Sequence, residues 1–500
     1  MGKKLQHIII FAVFLCEIFP VYGVAAAGSA LHAGAAADSV TTGPQQSENP
    51  ASENEIHFIT NTGIRSLEIT QRGTIRFSRD NREIAAISPD GYFSVKERRW
   101  FRTRRLEVVP GPDGKPEYRF YFEGRAGKFN EHAKDWLAGI MPEVSRRAGI
   151  NLWPRINESL LAGNTAQALR LVAEIESNTA KKFYYIMIAD SGNLNITDLQ
   201  VLIRQAGREV DGSQTLGDLL GQLAVQLPPS PVLTGELLRS AEEIASSSRK
   251  KEALIKIARL RKINVENAVI LANSIKTIAS SSNKQQALSS VADLFPANDE
   301  AIDAYLQAAR SISSSANQAG ALLSLISREN LSVESWRKIA MAPATIASSS
   351  EQGRVLRAMS IALPSDDSVI RSYLKSAEAI NSSQEKASAI SILLDKKDLS
   401  DASYIRIAES ALTIASSGEQ GRVLEKTATT CPVSDSVMLA LLKSASEINS
   451  SSEQERVFLS ILDREGLSKE VLLQIVKMAN SRIAASGARD AVINRAAQAL

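Results

Sequence analysis

Ile346-Ala-Ser-Ser-Ser-Glu-Gln-Gly-Arg-Val-Leu356 is written again 68 residues on as Ile414-Ala-Ser-Ser-Gly-Glu-Gln-Gly-Arg-Val-Leu424. Shorter forms of the phrase begin at Ile244, Ile278, Ile312, Ile380 and Ile448, and each step between neighbours is 34 residues. Val210 continues the register upstream at the same spacing, while Ile175 and Ile483 extend it at the two ends with a step of 35 residues. A fixed period of this size marks stacked helical hairpins, because a single unit cannot bury its apolar face except against its neighbours. The phrase predicts a mainly α chain built as an α-solenoid of about nine 34-residue hairpins over residues 151–500.

The units alternate in kind. Pro228, Pro296, Pro364 and Pro432 stand 68 residues apart, and Ile263, Leu331, Leu399 and Leu467 form an interleaved set at the same spacing. At the first kind of junction proline stops the preceding helix, since it has no N–H and clashes with the previous turn. At the second, an apolar residue precedes serine in three cases of four and reads as a staple before the next N-cap.

Within a unit, Val369, Tyr373, Ala377 and Ile380, widened by Ile370 and Leu374, trace the stripe of a core-facing helix, and Val437, Leu441, Ala445 and Ile448 repeat it. The serine run then opens a second helix carrying Val355 with Leu356, Val423 with Leu424, and Val457 with Phe458. Ser348 and Glu351, Ser382 and Glu385, Ser416 and Glu419, and Ser450 and Glu453 have capping-box spacing, which predicts reciprocal bonding of serine and glutamate to backbone N–H groups.

The formal net charge of +3 over 500 residues is small and argues against a chain that is basic throughout for nucleic-acid binding. Lys3 and Lys4 precede an apolar run over residues 8–19, and small residues follow over residues 23–28, the layout of a secretory signal. Cleavage is expected after Gly23, Ala26 or Ala27, giving a signal peptide over residues 1–27 and a periplasmic or secreted location. The rival is an uncleaved anchor, against which Glu17 and Pro20 interrupt the apolar run short of the roughly 20 residues of a span. Lipidation at Cys16 is disfavoured by the bulk of Phe14 and Leu15 before it. Cys431 would then be the only cysteine of the exported chain, which predicts no disulfide framework and reads as a small buried hydrophobe. Residues 28–55, rich in Ala, Gly, Ser and Thr and without periodicity, read as a flexible linker.

Residues 56–128 read as a small antiparallel β module, with β-prone runs at residues 66–70, 74–77, 92–96, 106–109 and 118–122. Pro89-Asp90-Gly91 and Gly111-Pro112-Asp113-Gly114 are its clearest turn signals. A connecting helix is expected over residues 129–150, with Trp136, Leu137, Ile140, Met141 and Val144 on one face. The residues Gly73-Thr-Ile-Arg-Phe77, Ile87-Ser-Pro-Asp-Gly-Tyr92, Arg104-Arg-Leu-Glu-Val108 and Asp135-Trp-Leu137, followed by the repeats, carry a resemblance. Residues 56–500 resemble a bacterial extracytoplasmic family whose modules also occur attached to membrane zinc-peptidase receptors of the beta-lactam-sensor type. That resemblance implies an envelope location and a sensing or docking role. The peptidase motif His-Glu-x-x-His does not occur in the chain.

The patterns that resemble catalytic motifs coincide with the repeat itself. Ser247-x-x-Lys250, Ser281-x-x-Lys284 and Ser383-x-x-Lys386 match the pattern in which lysine activates a serine nucleophile, yet all three fall on the capping turn. His57 and His132 lack metal-spaced neighbours, and neither a Walker loop nor a dinucleotide glycine motif is present, so no metal, cofactor or enzymatic activity is expected.

Two basic clusters stand out. Arg98, Arg99, Arg102, Arg104 and Arg105 surround Trp100 and Phe101 in a module with fifteen Lys/Arg against nine Asp/Glu over residues 56–128. They form the candidate binding patch for an anionic partner, although a solvated hairpin with both aromatics packed beneath it explains the same residues. Arg249, Lys250, Lys251, Lys256, Arg259, Arg261 and Lys262 form the second cluster, read as a solvated helix face. The functional expectation is a non-enzymatic envelope scaffold that binds another envelope protein. The alternative is direct binding of an anionic envelope polymer or lipid head group by the β module.

Overall fold

The computed structural model describes residues 55–500. The expected signal peptide and most of the expected linker lie outside the described residues. Eight strands come first: β1 (Glu55–Asn61), β2 (Arg65–Arg72), β3 (Ile75–Phe77), β4 (Ile84–Ile87), β5 (Tyr92–Arg99), β6 (Arg102–Pro110), β7 (Pro116–Phe122) and β8 (Arg125–Gly127). β1, β2, β5, β6, β7 and β8 form one antiparallel sheet in that order, and β3 pairs with β4 alone. Period-two alternation turns Leu67, Ile69, Phe93, Val95, Leu106 and Val108 to one face, where all six are buried.

Helix α1 (Glu131–Ala148) helps cover that face with Trp136, Leu137, Ile140, Met141 and Val144. Asn130 caps its start by accepting from the Ala133 N–H at 3.1 Å. Gly149 ends it at φ 76°, and a Cβ there would meet Tyr184 at 3.0 Å and Ala180 at 3.1 Å, so glycine serves both the turn and the close approach.

α2 (Trp153–Leu161) leads into the array. Twenty helices follow, paired in sequence as ten hairpins, one more than the expected nine. They are α3 (Thr165–Ala173) with α4 (Asn178–Asp190), α5 (Ile196–Glu209) with α6 (Ser213–Gln226), α7 (Pro231–Ser240) with α8 (Ser247–Leu260), and α9 (Val265–Lys276) with α10 (Ser281–Val291). Next come α11 (Asp299–Arg310) with α12 (Ser315–Ile326), α13 (Val333–Met341) with α14 (Ser349–Ala362), and α15 (Asp367–Glu378) with α16 (Ser383–Ser391). α17 (Asp401–Ala411) with α18 (Ser417–Thr430), α19 (Asp435–Ser446) with α20 (Ser451–Leu462), and α21 (Lys469–Arg482) with α22 (Ser486–Ala499) complete it. Odd-numbered helices stack on odd and even on even, giving a two-layered solenoid behind the sheet.

The recurrent isoleucines lie between the layers: Ile244, Ile278, Ile346, Ile380, Ile414 and Ile448 are all buried at the turn inside each hairpin. Tyr305 and Tyr373, also buried, resolve their hydroxyls by donating to the carbonyls of Ala321 at 2.9 Å and Ala389 at 2.8 Å. Ser332, Ser400 and Ser468 cap α13, α17 and α21, with the preceding leucines packed on the core as staples.

The even helices carry only half of the expected capping box. Ser348, Ser382, Ser416 and Ser450 accept from the N–H groups of Glu351, Glu385, Glu419 and Glu453 at 3.4–3.5 Å. Their carboxylates turn instead to arginines: Glu351 to Arg354, Glu385 to Arg357, Glu419 to Arg422 and Glu453 to Arg456.

Candidate functional site

The arginine cluster occupies the hairpin between β5 and β6. Arg99 lies opposite Arg102, Arg98 opposite Thr103, Glu97 opposite Arg104, and Lys96 opposite Arg105. Because successive side chains point to opposite faces, Arg99, Arg102 and Arg104 share the face of Leu106, while Arg98 and Arg105 share the other. The seven candidate residues therefore do not form one flat patch. Trp100 and Phe101 are 65 % and 95 % exposed, so the expectation that they pack beneath the hairpin does not fit the geometry. They form its apex.

Three turns gather at this end of the sheet: residues 62–64 between β1 and β2, residues 100–101, and residues 123–124 between β7 and β8. The Trp100 N–H donates to the Ile64 carbonyl at 2.8 Å, which joins the turn carrying the exposed Ile64 to the hairpin apex. Trp100 has φ 55°, a region that bulky residues rarely occupy, at a cost of roughly 1–3 kcal/mol. Among the described residues, Arg98, Arg99, Arg102 and Arg104 form no ion pair, whereas Arg105 pairs with Glu107 and lies 5.7 Å from the Tyr121 ring centre.

Behind the apex is a rigid mount. Buried Glu97 accepts from the Arg65 Nε at 2.7 Å and from the Trp136 indole N–H at 2.9 Å. Arg65 also bonds Glu143 at 2.7 Å, and Arg147 links Glu143 and Glu176 to Thr60. Burial works to lower the Arg65 guanidinium, and its bonds to Glu143 and Glu97 outweigh that effect and leave it raised. This network ties sheet, α1 and array together and leaves the neighbouring arginines available.

The second basic cluster disperses. Lys250 is buried and donates to Thr277 at 3.1 Å, Lys251 to Gln286 at 2.9 Å, and Arg259 pairs with Asp293 at 2.6 Å. Arg261, also buried, donates to the Pro228 carbonyl at 2.9 Å. Much of this cluster bonds between repeats, so a solvated face describes only part of it.

The Ser-x-x-Lys pairs dissolve in the same way. The Ser247 Oγ accepts from the Ser280 N–H at 3.4 Å, while Lys284 and Lys386 reach the carbonyls of Ser311 at 3.2 Å and Thr413 at 2.9 Å. Burial lowers the Lys250, Lys284 and Lys386 ammonium groups, but no hydrogen bond joins any of them to its serine among the described residues. Cys431 is buried, and burial pushes its thiol up to about 11. The His57 ring contacts Thr70 at 3.0 Å on the exposed sheet, and among the described residues no group of three His, Cys, Asp or Glu is placed to hold a metal.

No family model and no curated protein matches the chain. A solved chain titled "Circular tandem repeat protein with novel repeat topology and enhanced subunit contact surfaces" is similar at 15 % identity, over 74 % of this chain and 78 % of that one, with a TM-score of 0.13.

Sequence reading did not single out the outer surface of the odd-numbered helices. Two open grooves cross it. One of about 460 Å³ is lined by Arg204, Arg208, Glu236, Arg239, Glu243 and Asn273, and one of about 220 Å³ by Asp303, Gln307, Arg310, Arg337, Lys338 and Met341, among others. In the first, buried Glu236 accepts both bonds of an Arg204 fork at 3.0 and 3.1 Å. The readable signal was variation inside the period. At one exposed position the successive odd helices carry Gln307, Met341, Lys375, Glu409, Lys443 and Lys477, whereas the four even helices α14, α16, α18 and α20 repeat Glu351, Glu385, Glu419 and Glu453, between Asn317 and Ala488 at the same cap position.

Proposed function

We propose that this protein is a non-enzymatic scaffold of the cell envelope whose odd-helix surface binds another envelope protein. The observation that carries the reading is the contrast between the two layers. From α14 to α20 the even-helix glutamate recurs, and each one pairs with an arginine of the array itself. The exposed odd-helix column from Gln307 to Lys477 has no such common duty, and a stacked array presents it at a fixed step as one extended surface. Repetition supports a scaffold role for one layer, and side-chain diversity supports a recognition role for the other. The signal-like order of residues 1–28 supports the envelope setting.

The test compares the layers. Mature protein carrying Lys375→Glu with Lys443→Glu is expected to lose cross-linked capture of its partner from envelope extract. Arg354→Ser with Arg422→Ser, which installs the residue native at Ser388, is expected to retain it. Equal capture by both variants, or cross-links confined to even helices, overturns the assignment. Serine-dependent turnover that disappears in Ser247→Ala would restore an enzymatic reading.

A further inference from the structure

We propose that the loop end of the sheet is a membrane-docking tip, which places Trp100 and Phe101 in the headgroup region of an anionic lipid bilayer. This contact is separate from the odd-helix surface and does not depend on it. Three observations lead here.

The first is shape. Phe101 is 95 % exposed and Trp100 65 % exposed at the apex of a two-stranded hairpin, with Ile64 58 % exposed on the adjoining turn. A projecting apolar apex of this kind enters a soft interface readily, whereas a protein partner needs a matching pocket. Tryptophan suits the bilayer interface, with an apolar body and a polar N–H.

The second is the distribution of charge. Arg98 lies on one face of the sheet, and Arg99, Arg102 and Arg104 on the other, while exposed Arg125 stands beyond the next turn. One docking surface on a protein reaches one face of a hairpin. A headgroup layer surrounds an inserted hairpin on every side, so a collar of arginines on both faces fits anionic phosphates all around the apex. Long arginine stems let the guanidinium groups stay at headgroup level while the aromatics sit deeper. Among the described residues none of these five arginines is neutralised by an ion pair, and Glu97, opposite Arg104 in the register, is already bonded to Arg65 and Trp136.

The third is strain without internal return. Trp100 holds a left-handed backbone with φ 55° and buries little of its indole in the fold, so its benefit lies outside the folded chain. Asparagine or glycine would fit that turn with less strain.

The probe is a set of phosphatidylcholine vesicles with and without phosphatidylglycerol, and the protein is the full chain. Wild type should co-sediment with the phosphatidylglycerol vesicles and weaken as salt rises. Arg98→Glu with Arg102→Glu, one residue from each face, and Trp100→Asn with Phe101→Ser should each weaken binding by roughly tenfold or more. Both pairs are exposed, so circular dichroism should be unchanged. A local readout keeps this test independent of residues 1–54: lipids brominated near the headgroup should quench wild-type fluorescence and lose most of that effect in Trp100→Asn. Trp136 and Trp336 are buried and Trp153 is half-buried, so Trp100 is the indole that can report. Quenching unaffected by Trp100→Asn, or equal sedimentation of wild type and both variants with the two vesicle types, overturns the proposal. Binding of a soluble acidic protein or anionic polymer through Trp100 without any bilayer quenching also overturns it.

Discussion

At the residue scale, the four serine caps show how a local motif is changed by its neighbours. A glutamate three residues after an N-cap serine ordinarily bonds back to the cap N–H. Three other caps, Ser246, Ser280 and Ala485, have no glutamate three residues on, and there the cap N–H donates to Ser213, Ser247 and Ser451 of the preceding repeat at 2.9, 3.4 and 3.2 Å. At the four serine caps with a glutamate, the carboxylates pair with arginine instead. Serine and glutamate should consequently differ in energetic weight. Ser348→Ala should destabilise the array by about 0.5–2 kcal/mol, the range for a lost N-cap. Glu351→Gln should cost less than about 1 kcal/mol, because it removes a largely surface ion pair with Arg354. Thermal melting of the two variants reads the difference, and equal losses would point back to a reciprocal box.

At the element scale, the proline junctions leave a problem that a distant residue solves. Helix α18 ends at Thr430, and Cys431 is extended ahead of Pro432, so the last carbonyls have no following helical N–H. Arg464, from the next junction, donates to the carbonyls of Thr429 at 2.5 Å and Cys431 at 2.8 Å. Lys396 does the same for Ser360 and Leu363 at 3.3 and 2.6 Å, Arg328 bonds the carbonyls of Asp293 and Phe295, and Arg261 those of Pro228 and Leu223. A cation at a helix C-terminus also suits the dipole. Arg464→Ala should cost about 1.5–3 kcal/mol, the weight of hydrogen bonds to a charged group, while Arg464→Lys should recover most of it because lysine serves at Lys396. Urea unfolding of both variants checks this, and equal losses would show that side-chain packing rather than carbonyl capping is at work. Caps and core stripes were legible because both ends of each motif lie within one helical turn. The clamps were not, since Arg464 and Cys431 are 33 residues apart and no local pattern joins them. In the sheet, β1, β4 and β8 escaped the strand reading for a related reason: runs such as Glu55–Asn61 and Arg125–Gly127 gain their partners only from pairing. The Arg98 to Arg105 cluster was visible as charge, but its division between two faces needed the register of β5 against β6.

At the scale of the whole molecule, stability is passed along the array from one hairpin to the next. The odd and even layers make their main contacts with adjacent hairpins, so a defect should remain near its origin rather than unfold the chain in one step. Leu442, on α19, is fully buried, and Leu442→Ala removes side-chain volume from a layer fixed on both sides by α17 and α21. The expected loss is about 2–5 kcal/mol, made of the transfer energy and the cavity left behind. Sheet and array differ in what supports them: the sheet is tied to α1 and the first hairpin through Arg65, Glu97, Glu143, Arg147 and Glu176, far along the chain from residue 442. Native-state hydrogen exchange of Leu442→Ala should therefore show faster exchange in α17–α22, with protection in β2, β5, β6 and α1 close to that of the wild type. Uniform loss of protection from sheet to C-terminus would mean that the ten hairpins and the sheet fold as one cooperative unit, contrary to the nearest-neighbour account. Protection retained even in α19 would mean that the two layers can close around the missing volume, and that the leucine stripe tolerates more repacking than its burial implies.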